Sequence, residues 1–149
     1  FIKEAGEKLF GHKDDVSPEE QTRLNQAAAQ AIFDHINSLG LKWSNLMVSF
    51  MGGQVSISGS TPDQENREKI ILAAGNVHGV DNVEDHLTVE APAAEARFYT
   101  VVSGDTLSKI AAEQYGNASK YPVIFEANKP MLKDPNKIYP GQNLRIPPL

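Results

Sequence analysis

The chain changes from a helical to an extended pattern at Ala73-Ala74-Gly75-Asn76-Val77-His78-Gly79-Val80, called the 73–80 segment below. It contains two glycines, and glycine tolerates positive φ angles and close approach of the backbone to other atoms. A helix that ends here leaves its last carbonyl groups without intrahelical partners. The simpler interpretation is a helix C-cap and a tight turn into a strand. The alternative is a group of backbone carbonyls that binds a weakly hydrated monovalent cation, because none of the eight residues carries a carboxylate.

The residues on either side of the 73–80 segment predict a helix and a strand. Thr61-Pro62-Asp63-Gln64 is typical of a helix start, with Thr61 as N-cap and Gln64 reaching back to it. Apolar residues at helical spacing follow, and Gly75 ends the pattern. The residues that predict a return strand after the turn are Val77, Val80, Val83, Leu87 and Val89.

A longer helix is predicted earlier in the chain. Ser17-Pro18-Glu19-Glu20 combines an N-cap serine, a proline at the first helical position and a capping-box glutamate. Apolar residues at helical spacing continue to Gly40, which ends the helix. Residues 1–10 also have an amphipathic helical pattern, but a helix this short is marginal alone in water and must dock on the rest of the protein.

Two short strand-like stretches, 47–50 and 54–58, are joined through Met51-Gly52-Gly53, a good hairpin turn. In the second stretch Val55 and Ile57 alternate with polar residues, which indicates a strand with one buried face. From residue 17 onward, the order of elements is therefore α-β-β-α-β.

The pattern changes again after residue 90. Residues 91–97 are mainly alanine with one proline, typical of an interdomain linker. A strand over 98–102 follows, then a turn with Asp105 as candidate cap and two short helices. A last strand over 143–146 completes a β-α-α-β order, and the fold class predicted for the whole chain is α+β.

Composition excludes several classes of function. The net charge of −5 gives no basic surface for nucleic acid. Cysteine is absent, which excludes disulfides, thiolate catalysis and cysteine-ligated metals. No apolar run reaches the roughly 20 residues that span a bilayer. Neither GxSxG, HExxH nor a Gly-rich phosphate loop occurs, so we expect no enzyme activity.

The C-terminal part resembles the LysM domain. The motifs that carry this resemblance are Tyr99-Thr100-Val101, Gly104-Asp105-Thr106-Leu107, Ile110-Ala111, Tyr115-Gly116, Ile124, Asn128 and Gly141-Gln142-Asn143-Leu144-Arg145-Ile146-Pro147. The resemblance implies binding of N-acetylglucosamine-containing glycans in a shallow groove between two loops. The loop residues that it assigns to this groove are Gly104, Asp105, Thr106, Leu107, Asn128, Lys129, Pro130 and Met131.

The middle part resembles the BON domain, a small αββαβ fold. The resemblance rests on Gly53-Gln54-Val55-Ser56-Ile57-Ser58-Gly59, on the helix that follows, and on Val77-His78-Gly79-Val80-Asp81-Asn82-Val83. Taken together, an N-terminal segment, a BON domain, an Ala/Pro linker and a LysM domain resemble the bacterial potassium-binding protein family. The predicted boundaries are 1–16, 17–90, 91–97 and 98–149, with residues 1–16 as a helical segment that packs on the BON domain.

This last resemblance implies a function and a site. The family is cytoplasmic, binds K⁺ selectively with a change of conformation, and is linked to osmotic or salt stress, so we expect a monomeric K⁺ sensor or buffer. The resemblance places K⁺ among backbone carbonyls of the N-terminal segment and the 73–80 segment. The residues it implies are Ile2, Ala5, Gly75, Val77 and Val80, with Asn76 and Gly79 as further candidates.

Two alternatives stay open at this point. The LysM domain could bind peptidoglycan in the cell envelope, which requires export. The LysM groove could also bind no sugar and instead pack on the BON domain or on a protein partner.

Overall fold

The computed structural model describes residues 17–91, 93 and 95–149. Ile2 and Ala5, and the helix predicted over residues 1–10, lie outside these residues. None of the described helices has the length and apolar character that a bilayer crossing requires.

The first part of the chain has the predicted order of helix, two strands, helix and strand, but Val77 and Val80, which were predicted in the last strand, lie in the turn before it. The elements are α1 (Pro18–Ser38), β1 (Ser44–Met51), β2 (Gln54–Asp63), α2 (Gln64–Gly75) and β3 (Asn82–Ala91). The sheet order is β1-β2-β3, with β1 antiparallel and β3 parallel to β2. The α2 helix is therefore the crossover between two parallel neighbours, and the 73–80 segment leads from this crossover into β3.

The core of this part lies between the sheet and the two helices. Apolar side chains from every element meet there with almost no solvent exposure. Representative members are Ile32 and Ile36 of α1, Val55 and Ile57 of β2, and Ile70 and Ala74 of α2.

The helix starts show where local signals succeed and where they fail. Ser17 caps α1 as predicted, because its side chain accepts a hydrogen bond from the Glu20 N–H. The prediction of Thr61 as cap of α2 was wrong. Thr61 stays in β2, where its hydroxyl donates to the Thr88 carbonyl of β3, and Asp63 caps the helix instead. Pairing with a neighbouring strand thus outweighs the local start signal.

The last part of the chain has the predicted strand-helix-helix-strand order. Its elements are β4 (Arg97–Thr100), α3 (Leu107–Tyr115), a 3₁₀ turn (Ala118–Lys120), α4 (Tyr121–Ala127) and β5 (Asn143–Ile146). β4 and β5 pair antiparallel, and a second core fills the space between them and the helices. Thr106, not the predicted Asp105, caps α3 with its side chain.

Candidate cation site

The 73–80 segment closes helix α2 with a tight turn. The Asn76 N–H donates to the carbonyls of Leu72 and Ala74, and the Val77 N–H also reaches the Ala74 carbonyl at 3.3 Å. The Val80 N–H then donates to the Val77 carbonyl at 3.1 Å, and Gly79 has a φ of 94°. Only glycine adopts that φ angle without strain, so Gly79 sets the direction of the chain into β3.

The backbone of this turn is held in place by its own side chains. Val77 and Val80 are fully buried in the core between sheet and helices. Since both side chains are fixed, the carbonyl groups between and beside them have little freedom to reorient. A carbonyl oxygen has two lone pairs, so the Val77 oxygen that accepts from Val80 can also coordinate a cation.

The electrostatics of the turn favour a cation of low charge. It lies at the C-terminal end of α2, where the helix dipole places partial negative charge. Across the described residues, no group of three or more histidine, aspartate or glutamate side chains is arranged to hold a metal ion. Ca²⁺ prefers sites with carboxylates, and Mg²⁺ loses its water reluctantly, so neutral carbonyl donors suit a monovalent ion better.

The structure brings the described candidate ligands into one turn. Gly75 is the last residue of α2, and Asn76, Val77, Gly79 and Val80 follow within five residues. Ile2 and Ala5 lie outside the described residues, so the structure describes one part of the predicted ligand set.

The exit of the turn is attached to the β1–β2 hairpin. The N–H groups of Asp81 and Asn82 donate to the Gly53 carbonyl at 2.7 and 3.3 Å. A Cβ atom at Gly53 would collide with the Asp81 carboxylate, so the two segments are in close contact. The hairpin glycines therefore help to position the 73–80 segment, a role that sequence spacing alone did not reveal.

The residues assigned to the glycan groove have structural tasks in this chain. The Asp105 carboxylate accepts from the Tyr99 hydroxyl at 2.6 Å and from the Val102 N–H at 2.9 Å. This hydrogen bond raises the pKa of Tyr99 to about 12. Thr106 caps α3, which begins at Leu107, and Gly104 has a φ of 89° in the preceding turn.

The residues of the second loop of the predicted groove also make contacts within the protein. Asn128 is buried, and its carboxamide bonds the Ile124 carbonyl and both backbone groups of Arg145. Lys129 lies over the Phe125 ring, next to Pro130. Met131 packs against the core of the preceding sheet and helices. Of this loop, Met131 therefore contacts the first part of the protein, and Asn128 and Lys129 contact residues of the last part.

Sequence reasoning missed a polar contact between α2 and β5. Glu68 is buried and accepts from Arg145 Nε at 2.6 Å and from the Ala96 N–H at 2.8 Å. Removing one partner of a buried ion pair typically costs about 3–5 kcal/mol. Nothing in the local spacing identifies Glu68 as buried, because it stands between Arg67 and Lys69 in an ordinary charged helix.

Comparison with known proteins agrees with this two-part architecture. A family model of the BON domain matches residues 25–91, and one of the LysM domain matches residues 99–147. The finer boundaries predicted from the sequence stay predictions. Neither domain family is an enzyme family.

Two relatives match most of the chain. It is 44% identical over 148 residues to the potassium binding protein Kbp of Escherichia coli, with 99% of this chain and 95% of that protein covered. It is 35% identical over 146 residues to an uncharacterized protein of Deinococcus radiodurans, of which it spans about half.

An esterase of Mycobacterium tuberculosis is 54% identical over only 48 residues, which are 32% of this chain and 10% of the esterase. So short a match does not extend esterase activity to this chain. The near full-length match and the two domain models lead to one conclusion: the chain belongs to the bacterial potassium-binding protein family, with a BON domain followed by a LysM domain.

Proposed function

We propose that this protein binds K⁺ through backbone carbonyls of the 73–80 segment and of the N-terminal segment. The observation that carries the proposal is a fixed turn of neutral carbonyls at the C-terminal end of α2, in a chain that aligns with a potassium binding protein over 99% of its length. The proposed ligands are the carbonyls of Gly75, Val77 and Val80, with Ile2 and Ala5 from the N-terminal segment.

Carbonyl dipoles provide the chemistry that K⁺ requires. They can replace its hydration shell without the charge that would favour divalent ions. The turn is supported by buried valines, so the donors are arranged before the ion arrives. This protein's own contribution is therefore to fix the positions of neutral oxygens and to exclude carboxylates from the ligand set.

The proposed ligand set also implies a change of conformation. An ion held by two segments far apart in sequence favours the state in which they meet, by RT ln(1 + [L]/Kd). At 100 times the Kd this amounts to about 2.7 kcal/mol. We infer that the K⁺-bound protein is more compact than the K⁺-free one, and that the protein is a monomeric cytoplasmic sensor or buffer of K⁺ linked to osmotic or salt stress.

Calorimetric titration of the full chain with KCl and with NaCl, at equal ionic strength, tests the binding. We expect a saturable heat with KCl only. Equal heats with the two salts would overturn the proposal. Hydrogen exchange in the same two salts tests compaction, because only KCl should increase backbone protection.

Glycan binding remains the second candidate function, supported by the LysM match over residues 99–147. Against it, both N–H donors of the Asn128 carboxamide are used by the carbonyls of Ile124 and Arg145, and Met131 packs on the BON core. A pull-down with insoluble peptidoglycan distinguishes the two functions, and we expect the full chain to stay in the supernatant with or without KCl.

A further inference from the structure

The strand β5 contacts two parts of the protein with its two faces. Leu144 and Ile146 point into the LysM core and are almost fully buried. The side chains of Asn143 and Arg145, on the opposite face, contact Asn76 and Glu68 at α2. All four residues of this short strand are therefore buried, two in the LysM core and two against the BON domain.

The outer edge of β5 is completed by two asparagine side chains. Among the described strands β5 pairs with β4 alone, so its other edge has backbone groups that need partners. At Arg145 the Asn128 carboxamide accepts from the N–H at 2.7 Å and donates to the carbonyl at 2.9 Å. At Asn143 the Asn76 carboxamide does the same, at 2.9 and 3.1 Å.

These two asparagines differ in where they come from. Asn128 belongs to the LysM domain itself, at the end of α4. Asn76 belongs to the 73–80 segment, between the proposed ligands Gly75 and Val77. A backbone edge of the LysM domain is thus completed by a residue of the proposed cation site.

The hydrogen bonds between the Asn76 side chain and Asn143 are short and tolerate little movement of either residue. An asparagine side chain has two rotatable bonds, and hydrogen bonds weaken steeply outside their normal length and angle. Two turns earlier in α2, Glu68 is held by Arg145 and Ala96, so the helix cannot shift along β5 without breaking buried bonds. A rearrangement of the 73–80 segment is therefore transmitted to β5 mainly at Asn76.

We propose that Asn76 is the positioning residue that couples the cation site to the LysM domain. When K⁺ joins the 73–80 segment to the N-terminal segment, the turn fluctuates less, and the hydrogen bonds of the Asn76 carboxamide at Asn143 persist for longer. The inference rests on the proposed K⁺ binding and adds to it the route by which occupancy reaches the second domain.

The test uses ¹⁵N-labelled full-length chain, titrated with KCl at constant ionic strength and followed by ¹H–¹⁵N correlation spectra. The amides of Val77 and Val80 report the turn, and those of Asn143 and Arg145 report β5. In the wild type we expect both sets to shift with the same midpoint in KCl, and neither to shift in NaCl.

The decisive variant is Asn76→Ala. At KCl concentrations that saturate the variant, whatever its midpoint, we expect the turn amides to respond and the β5 amides not to. The matched control is Asn117→Ala, which removes an asparagine cap inside the LysM domain that does not contact α2 and should keep both responses. If Asn76→Ala fails to fold, Asn76→Ser replaces it, since a serine side chain is too short to bond both backbone groups of Asn143, adds no charge beside the cation site, and should weaken the β5 response.

Two results would overturn the coupling while leaving K⁺ binding intact. One is a β5 response to KCl that persists unchanged in Asn76→Ala. The other is a wild type in which only the turn amides respond. Turn amides that are silent in KCl would instead overturn the proposed function, and the coupling with it.

Discussion

Gly52 and Gly53 are neighbours in one hairpin turn, yet they differ in what surrounds them. Both have positive φ, 57° and 81°. A Cβ atom at Gly52 would meet nothing within 4 Å, whereas at Gly53 it would collide with the Asp81 carboxylate beside the 73–80 segment. The Asp81 carboxylate is the end of an exposed, flexible side chain and can rotate away, so the lasting difference is the Gly53 carbonyl, which accepts from the N–H groups of Asp81 and Asn82.

This difference gives a prediction for alanine substitutions. Gly52→Ala should lower the free energy of unfolding by about 1 kcal/mol, the cost of a left-handed conformation for a residue with a side chain. Gly53→Ala should also weaken K⁺ binding, because relief of the strain at its φ angle moves the Gly53 carbonyl that holds Asp81 and Asn82. Denaturant unfolding and calorimetry on both variants check this, and equal K⁺ affinity of the two would contradict it.

At the scale of elements, the turn from β4 into α3 depends on one carboxylate. Asp105 bonds the Tyr99 hydroxyl of β4 and the Val102 N–H, so it joins the strand to the turn before the helix. The hydrogen bond to Asp105 is the main cause of the raised pKa of Tyr99, followed by desolvation.

The raised pKa of Tyr99 predicts that the stability of the protein falls as the pH rises above 10. The unfolded tyrosine ionises near its ordinary pKa of 10.0, and the folded one near 12. The contribution of the Tyr99 side chain to the free energy of unfolding is therefore fully present below pH 10 and is lost as the pH rises towards 12. Below pH 9 the wild type should be more stable than Tyr99→Phe by about 1 kcal/mol.

Urea unfolding of both proteins as a function of pH measures this contribution. The difference between them should shrink between pH 10 and 12. Using Tyr99→Phe as reference removes the effect of lysine titration, which both proteins share. A constant difference over this range would show that the hydroxyl proton is not held by Asp105.

At the scale of the whole molecule, hydrophobic periodicity and turn residues in the sequence predicted the order of helices and strands. The α-β-β-α-β and β-α-α-β orders and the Ser17 cap follow from local patterns and are confirmed. Thr61 and Asp105 were wrong as caps, because strand pairing in one case and hydrogen bonds from Tyr99 and Val102 in the other use those residues elsewhere.

The contacts between the domains could not be predicted from the sequence. Glu68 and Asn76 are polar residues in a charged helix and a turn, and their hydrogen bonds depend on a strand 67 to 77 residues later in the chain. Similarly, Asn128 fits a family pattern for glycan binding, and only the structure shows its carboxamide against β5. The K⁺ ligands stay a prediction, since backbone donors leave no side-chain signature.

Removal of residues 1–10 tests the proposed site as a whole. The truncated chain should lose K⁺ binding in calorimetry, because the Ile2 and Ala5 carbonyls are gone, while the LysM amides keep their dispersed spectrum. Ile2→Ala is the matched control: it changes the side chain, retains the carbonyl and should still bind K⁺. Wild-type K⁺ affinity in the truncated chain would place all ligands outside residues 1–10.

Because β5 contacts both the LysM core and helix α2, the LysM domain is not independent of the BON domain. A LysM domain excised from this chain would expose the Arg145 guanidinium and the Asn143 edge that α2 now covers, and would present an unpaired strand for intermolecular association. Domain shuffling that exchanged this LysM unit for another would have to transfer Glu68 and Asn76 together with it. A LysM domain moved to another protein would therefore need new partners for the groups that Glu68 and Asn76 of the BON domain satisfy here.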